Sequence, residues 1–386
     1  MAGFTNHCKI YLLVLACFLG MPLYAQSLQI VNDLPVLSRS IPINKCSNTI
    51  FVSGPNKWSW PYPLGEQHFV WTRAKITVDS TSFDRAWEID VVANGHPLET
   101  LTRSDLAPDR RTLWTHLIEG EFTVQLTSQA NIDGTKVCLE SVNVPTTAAS
   151  VKSVIDNKDD RVDLVSTYGV HSRYYEYGKS VVLIWFQDAA NGGMETNCTG
   201  VVVSAELVAT NNHCIDDHTD LKTSFVIIGH ETGTPVEQRA RVICLVATSE
   251  TLDYSIVKID RELTDVAKIS VDNAKKGARL ILIQHPEARP KLIAVVSKTK
   301  CFIQQAPAKD RPTDFYHLCD SSGGSSGSPV MDEASGVVYG LHHLGATDLK
   351  RHDYHNLAVS FRQITTDLQK RYPPIYQQIV TSVIQH

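Results

Sequence analysis

The sequence predicts an all-β protein in two units: a small antiparallel β-sandwich, then closed β-barrels that end in one C-terminal helix. Three observations predict it. Short runs of alternating apolar and polar residues recur along most of the chain. Turns rich in glycine, asparagine and aspartate punctuate those runs. A helical period emerges clearly only near the end, from Leu357 to Arg371, and stops before Pro373-Pro374.

The chain opens with Lys9 ahead of an apolar run from Tyr11 to Met21, followed by Pro22-Leu23-Tyr24-Ala25. This is the pattern of a signal peptide cut after Ala25, so residues 1–25 are expected to leave the mature protein. The run is too short to span a bilayer, and nothing later is long and apolar enough to try. A lipid anchor at Cys17 is the poorer reading, because so little apolar chain precedes it.

Residues 27–145 hold alternating runs at Phe69 to Val78, Trp87 to Val91, Phe122 to Leu126 and Val137 to Val142, with Asn94-Gly95 and Asp133-Gly134 as turns. A sandwich closed by a disulfide fits them best. Residues 146–163 read as a linker, small residues giving way to the charges of Lys158-Asp159-Asp160-Arg161. In 164–386 β-patterns resume at Ser180 to Trp185, Cys198 to Val203, Ser224 to Ile228 and Arg279 to Ile283. Many short strands between glycine-bearing turns argue for closed barrels over a parallel sheet.

Composition is that of a globular protein: 386 residues, 43% hydrophobic and 20% charged. A formal charge of −5 gives no reason to expect nucleic acid or an anionic membrane as partner. Removal of Cys8 and Cys17 with the leader leaves seven of the nine cysteines, and export makes disulfides their expected state. Proximity suggests Cys198–Cys214 and Cys301–Cys319, and Cys46–Cys138 then brackets the first unit. Cys244, in the apolar stretch Val242 to Val246, is left over as a buried free thiol. Spacing alone does not fix the pairing.

Two stretches carry the chemistry. Cys198-Thr199-Gly200 with Thr210-Asn211-Asn212-His213-Cys214 sets a histidine beside a cysteine. Gly324-Ser325-Ser326-Gly327-Ser328-Pro329-Val330 sets a serine in a tight turn, where backbone N–H groups can converge on one point. A nucleophile, a base and an anion hole are the parts of acyl transfer.

Over roughly residues 165–370 these motifs resemble those of a trypsin-like (chymotrypsin-fold) serine peptidase of the bacterial branch. Leu252-Asp253-Tyr254-Ser255-Ile256 is similar to the family's aspartate motif, an acid just before a buried strand. The resemblance implies a double β-barrel, a catalytic triad of His213, Asp253 and Ser326, and an oxyanion hole from the N–H groups of Gly324 and Ser326. It implies protein or peptide substrates and no cofactor. Asp216, Asp217 and Asp220 lie nearer His213 in sequence, but no apolar strand follows them.

The same resemblance puts Asp320, six residues before Ser326, at the base of the primary pocket, which makes Lys or Arg before the cut the leading expectation. His342 and Ser321 give the alternative, binding of Glu or Asp, and broad specificity is a third. Ser325 stands where animal trypsins carry the aspartate that pairs with a newly cut N-terminus, so activity without such a cut is expected.

Rival readings are few. Gly323 to Gly327 also fits a lipase elbow with Ser325 central, which would need an acid and a histidine downstream, such as Asp348 and His352. Neither His213 to His218 nor His352 to His355 has zinc spacing, so no metal site is expected. A non-catalytic binding protein on a peptidase-like barrel is the second functional class. An adhesin-like first unit carrying its own processing peptidase is the third. The first unit is left without an assigned role; it could bind the second unit as a propeptide or take a surface ligand. The address is secreted or periplasmic.

Overall fold

The structure is a computed structural model that describes residues 34–384, apart from 47–56, 63–70, 80–86, 94, 108–110, 119–120, 129–135, 150–151, 156–157, 189–192, 234–237, 273, 296–299 and 346–354. The leader, Asp133-Gly134, Asp348 and His352 therefore lie outside the described residues.

In the N-terminal region, strands Val36–Cys46, Val137–Ala149, Arg73–Val78 and Thr112–Trp114 form one antiparallel sheet. Strands Lys57–Tyr62, Phe122–Ser128, Trp87–Ala93 and His96–Leu101 form a second. Alternate residues such as Ile76, Val78, Ile89, Val91, Val124, Leu126 and Leu139 meet in one core between them, as a period of two requires. The Cys46–Cys138 disulfide ties paired strands of the first sheet. Strand Val137–Ala149 continues past the expected boundary at residue 145, pairing Ala149 with Val36. Its small residues are as compatible with an extended strand as with a linker.

The N-terminal region packs on the C-terminal part of the chain through a buried polar seam. Arg73 Nε lies 3.4 Å from the Glu195 carboxylate, both side chains without solvent exposure. Arg73 also donates to the Thr223 carbonyl at 3.0 Å, and the Glu195 N–H donates to the Ser38 hydroxyl at 2.8 Å. Burial lowers the Arg73 pKa and raises that of Glu195 despite their mutual attraction. The pair fixes how the surfaces meet rather than stabilising them strongly. Trp71 meets Trp185 edge-on beside it.

Six strands then close a barrel: Val181–Asp188, Met194–Ser204, Leu207–Thr210, Tyr254–Ile259, Gln238–Ser249 and Phe225–Ile228. Val182, Ile184, Val202, Val208, Val226 and Val257 fill it. An eight-stranded sheet comes next, with Leu280–Gln284, Pro329–Asp332, Val338–Leu344 and Asn356–Ser360 as consecutive neighbours near its middle. Its far strand Ile303–Gln305 turns back on the sheet. The Leu280 N–H donates to the Cys301 carbonyl at 3.0 Å and the Ile303 N–H to the Ala278 carbonyl at 3.0 Å. The second barrel thus takes the form of a curled sheet closed by loop hydrogen bonds rather than by a continuous ladder.

Three expectations are corrected by these elements. The helix begins at Phe361, not Leu357, because Asn356–Ser360 is a strand of the sheet. A second helix, Pro373–Ile384, starts at the prolines expected to end helical structure, since a first-turn proline needs no N–H partner. Phe361, Ile364, Leu368 and Ile379 cover the seam between barrel and sheet. Cys244 is disulfide-bonded rather than a free thiol. The other six described cysteines pair as Cys46–Cys138, Cys198–Cys214 and Cys301–Cys319.

Candidate active site

The barrel supplies a histidine–aspartate couple. Strand Leu207–Thr210 leads into the turn that carries His213, and the Cys198–Cys214 disulfide pins that turn to strand Met194–Ser204. Asp253 precedes strand Tyr254–Ile259 in the left-handed region, at φ 52°, a conformation that costs a non-glycine residue free energy and is kept here by its contacts. Its carboxylate accepts the His213 backbone N–H at 3.0 Å and the Nδ1–H of the ring at 2.8 Å. That bond leaves His213 Nε2 as the free basic nitrogen. Burial opposes ionisation of Asp253, but His213 and His343 outweigh it and hold the carboxyl well below the ordinary carboxylate range.

The sheet supplies the serine. Gly324 and Gly327 both have positive φ, 89° and 84°. A Cβ on Gly327 would lie 2.1 Å from the Thr199 carbonyl oxygen, so only glycine lets the loop press on the barrel there. The Thr199 N–H donates to the Ser326 carbonyl at 2.8 Å, and the Thr199 hydroxyl donates to the Gly324 carbonyl at 2.8 Å. Ser326 is thereby held against the residue next to Cys198, whose bridge reaches Cys214 beside His213. Among the described residues no group accepts the N–H of Gly324 or Ser326, and no hydrogen bond joins Ser326 Oγ to His213. In unliganded sites that contact is commonly long and closes on substrate.

The rival assignments go elsewhere. Ser325 is fully buried, with its hydroxyl donating to Gln284 at 2.5 Å, so it is no exposed elbow nucleophile. Asp216 accepts from the His218 N–H and the Thr219 hydroxyl, and Asp220 caps the turn Leu221–Thr223. The sulfurs of Cys198 and Cys214 lie close to His213 but are bonded to each other, so this cluster is no metal site.

The pocket residues are arranged differently from one another. Both oxygens of Asp320 are engaged by the connecting segment: Oδ1 accepts the Ile155 N–H at 2.7 Å and Oδ2 the Asp160 N–H at 3.0 Å. Burial raises its pKa, partly offset by those N–H groups. Ser321 Oγ accepts from Asn356 Nδ2 at 3.2 Å. His342 Nδ1 meets His317 Nε2 at 3.1 Å, and His317 Nδ1 accepts the Cys319 N–H at 3.3 Å. Burial holds both rings neutral, His317 with a pKa lowered to about 3. The chain of bonds therefore puts the His317 proton on Nε2 and the His342 proton on Nε2, which makes that nitrogen of the buried His342 ring a donor.

One participant carries no motif signal. His343 is fully buried, with Nδ1 3.0 Å from Asp253 and Nε2 2.9 Å from Asp314. Asp314 is in turn held by Arg311 at 2.8 Å. Successive strand residues face opposite sides, so adjacent His342 and His343 point one to His317 and one to Asp253.

An antiparallel barrel bearing a histidine–aspartate couple, beside a sheet bearing a serine in a glycine turn, is the arrangement of the serine peptidase class. Residues 198–341 match the trypsin-like peptidase domain family. Among curated proteins the chain is 27% identical over 191 residues to secreted RxLR effector protein 73 of Plasmopara viticola, covering 45% of this chain and 46% of that one. It is also 27% identical over 176 residues to the uncharacterized protein y4fB of Sinorhizobium fredii, covering 40% and 26%. The alignments thus span less than half the length of these relatives. Among solved structures, the active form of the Rv3671c protease from M. tuberculosis aligns with TM-score 0.41 and 18% identity, covering 51% of this chain and 83% of that one. The serine endoprotease from Yersinia pestis aligns with TM-score 0.41 and 16% identity, covering 52% and 67%.

Proposed function

We propose that the protein is an exported serine endopeptidase. Ser326 attacks the peptide carbonyl while His213 Nε2 takes its proton and later delivers it to the leaving amine. Asp253 keeps the ring in the tautomer that leaves Nε2 basic and stabilises the imidazolium. The N–H groups of Gly324 and Ser326 receive the oxyanion, each worth about 3–4 kcal/mol in comparable sites. Water then hydrolyses the acyl-enzyme. The observation that carries this reading is the two-point grip of Asp253 on His213, next to a left-handed glycine loop with two unpartnered N–H groups. Three disulfides among the described residues fit an oxidising compartment, secreted or periplasmic.

For specificity we propose an acidic side chain before the cut, in place of Lys or Arg. Asp320 has both oxygens taken by backbone donors and a guanidinium nearby, and a carboxylate so occupied is a poor partner for a cationic substrate. His342 offers a neutral N–H donor supported from behind by His317. The residues of 27–145 are proposed as a separate unit docked on the peptidase. The test is hydrolysis of a peptide library varied at the residue before the cut, by the mature chain and by Ser326→Ala. Cleavage after Glu or Asp, absent in the variant, is expected. Cleavage after Lys or Arg overturns the pocket reading alone, and equal rates in both proteins overturn the peptidase reading.

A further inference from the structure

We propose that residues 152–155 and 158–161 of the connecting segment strap down and position the oxyanion loop, with Asp320 and Arg161 as anchors; the proposal rests on the peptidase reading above. The loop from Asp320 to Ser325 contains two adjacent glycines, Gly323 and Gly324, and has little stiffness of its own. Its rigidity comes from groups distant in sequence.

Three sets of bonds tie it down. The Asp320 carboxylate gathers the Ile155 and Asp160 N–H groups, and Ser321 and Ser322 pair with Ser153 and Lys152 as a short antiparallel ladder. Arg161, gripped by Asp159 through two bonds of 2.8 Å, donates to Ser322 Oγ at 2.7 Å and reaches Gln284 Oε1 at 3.4 Å. Gln284 closes the circuit: its Oε1 accepts from Ser325 Oγ at 2.5 Å, and its Nε2 donates to the Asp320 carbonyl at 2.9 Å. Ser325 Oγ also accepts the Ser322 N–H at 3.1 Å.

Asp320, Ser321, Ser322 and Ser325, four of the six residues before Ser326, are therefore held by the segment directly or through one side chain. Arg161, Gln284 and Asp320 are all buried, where charge-assisted bonds persist. Oxyanion donors act only if they are aimed to within a fraction of an ångström. The aim of the Gly324 and Ser326 N–H groups thus depends on residues some 165 positions upstream. This also gives the loop an internal cationic anchor, where a serine at 325 offers an incoming ammonium no carboxylate.

The test compares the mature chain with Asp320→Asn, Arg161→Met and Arg161→Lys. Asp320→Asn keeps the size but sets an amide against two N–H donors. We expect kcat to fall at least about tenfold in Asp320→Asn and Arg161→Met, with KM within about threefold, as for supporting groups behind a reactive centre. Arg161→Lys, which keeps the charge and loses the fork, should recover part of the loss. Amide exchange across 320–327 should quicken about tenfold while strand Val181–Asp188 stays protected, since the loop opens without the fold. Unchanged kcat and exchange in both Asp320→Asn and Arg161→Met would overturn the proposal. So would a loss of activity matched by equal deprotection of the barrel, which marks a general loss of structure. If the unmutated chain hydrolyses nothing, the peptidase reading fails, and the exchange comparison alone decides whether the strap holds the loop.

Discussion

Replacing His343 with alanine removes an imidazole clamped between two buried acids, Asp253 at 3.0 Å and Asp314 at 2.9 Å. Carboxylates only accept, so both contacts are satisfied together only when both ring nitrogens carry protons. Burial works against that charge, but the two carboxylates prevail and raise the His343 pKa above its ordinary value. Breaking a buried pair costs about 3–5 kcal/mol when the partner is stranded. Here each acid keeps a second partner, Asp253 its bond to His213 and Asp314 its bond to Arg311. The lower end, about 3 kcal/mol, is therefore expected where His343 is fully charged.

The pH dependence has a fixed sign. A histidine whose folded pKa is raised contributes stability that is complete below its unfolded value, near 6.5, and is lost as pH rises through the folded value. The alanine variant should thus be most destabilised near pH 6 and should converge on the parent at a pH above the raised folded value. Urea unfolding of both proteins at these two pH values measures the difference. In the peptidase assay, Asp253 also loses a group that favours its ionised form, so the acid limb of kcat/KM should move to higher pH. A penalty equal at both pH values, or one that grows with pH, refutes the idea of a charged clamp.

Three further outcomes are expected. Arg73→Met strands Glu195 in the seam and should cost about 3–5 kcal/mol in chemical denaturation, while adding Glu195→Gln should restore most of it. His317 stays neutral in the fold down to a pKa of about 3. Its contribution is therefore complete above the unfolded value near 6.5 and falls as pH drops below it, by about 3 kcal/mol at pH 4. His317→Gln should flatten that part of the stability profile between pH 6 and 4, measured by circular dichroism. Gly324→Ala would place a Cβ 2.7 Å from Asn197 Nδ2 and 2.9 Å from the Glu287 backbone nitrogen, at φ 89°. Its kcat should fall about a hundredfold as the oxyanion donors turn away, with a smaller loss of unfolding free energy.

What the sequence makes legible here is what is local. Alternation in Trp87 to Val91 and Phe122 to Leu126 reports which side chains enter a core, because a strand's period is built into its backbone. Cysteines sixteen and eighteen residues apart pair as Cys198–Cys214 and Cys301–Cys319 because short loops close easily. Two glycines around Ser326 reveal a left-handed turn for steric reasons. The helical period misplaces the start of the helix because the chain alone does not say that Leu357 to Val359 face a neighbouring strand. His343 is silent for the same reason: nothing in His342-His343 says which ring meets Asp253.

Asp320 shows the limit most sharply. Its offset from Ser326 counts positions along one loop and carries no information on which side of that loop the carboxylate lies. The side is decided by a competition for a buried acid. A pocket would leave it facing solvent until a cation arrived, whereas the connecting segment offers two fixed N–H donors whose ordering cost folding has already met. A permanent intramolecular partner outcompetes an occasional one, and on the reading proposed above the carboxylate then serves the loop before Ser326. The same competition explains why Arg161, at the end of the segment's charged run, is not solvated like the exposed Lys158. Arg161 is buried with its guanidinium on Ser322, and Asp159 is there to hold it. A buried charge between two units reads as solvent-facing only while its partners are unseen, and here the partner of Arg161 is Ser322, in the loop that leads to Ser326.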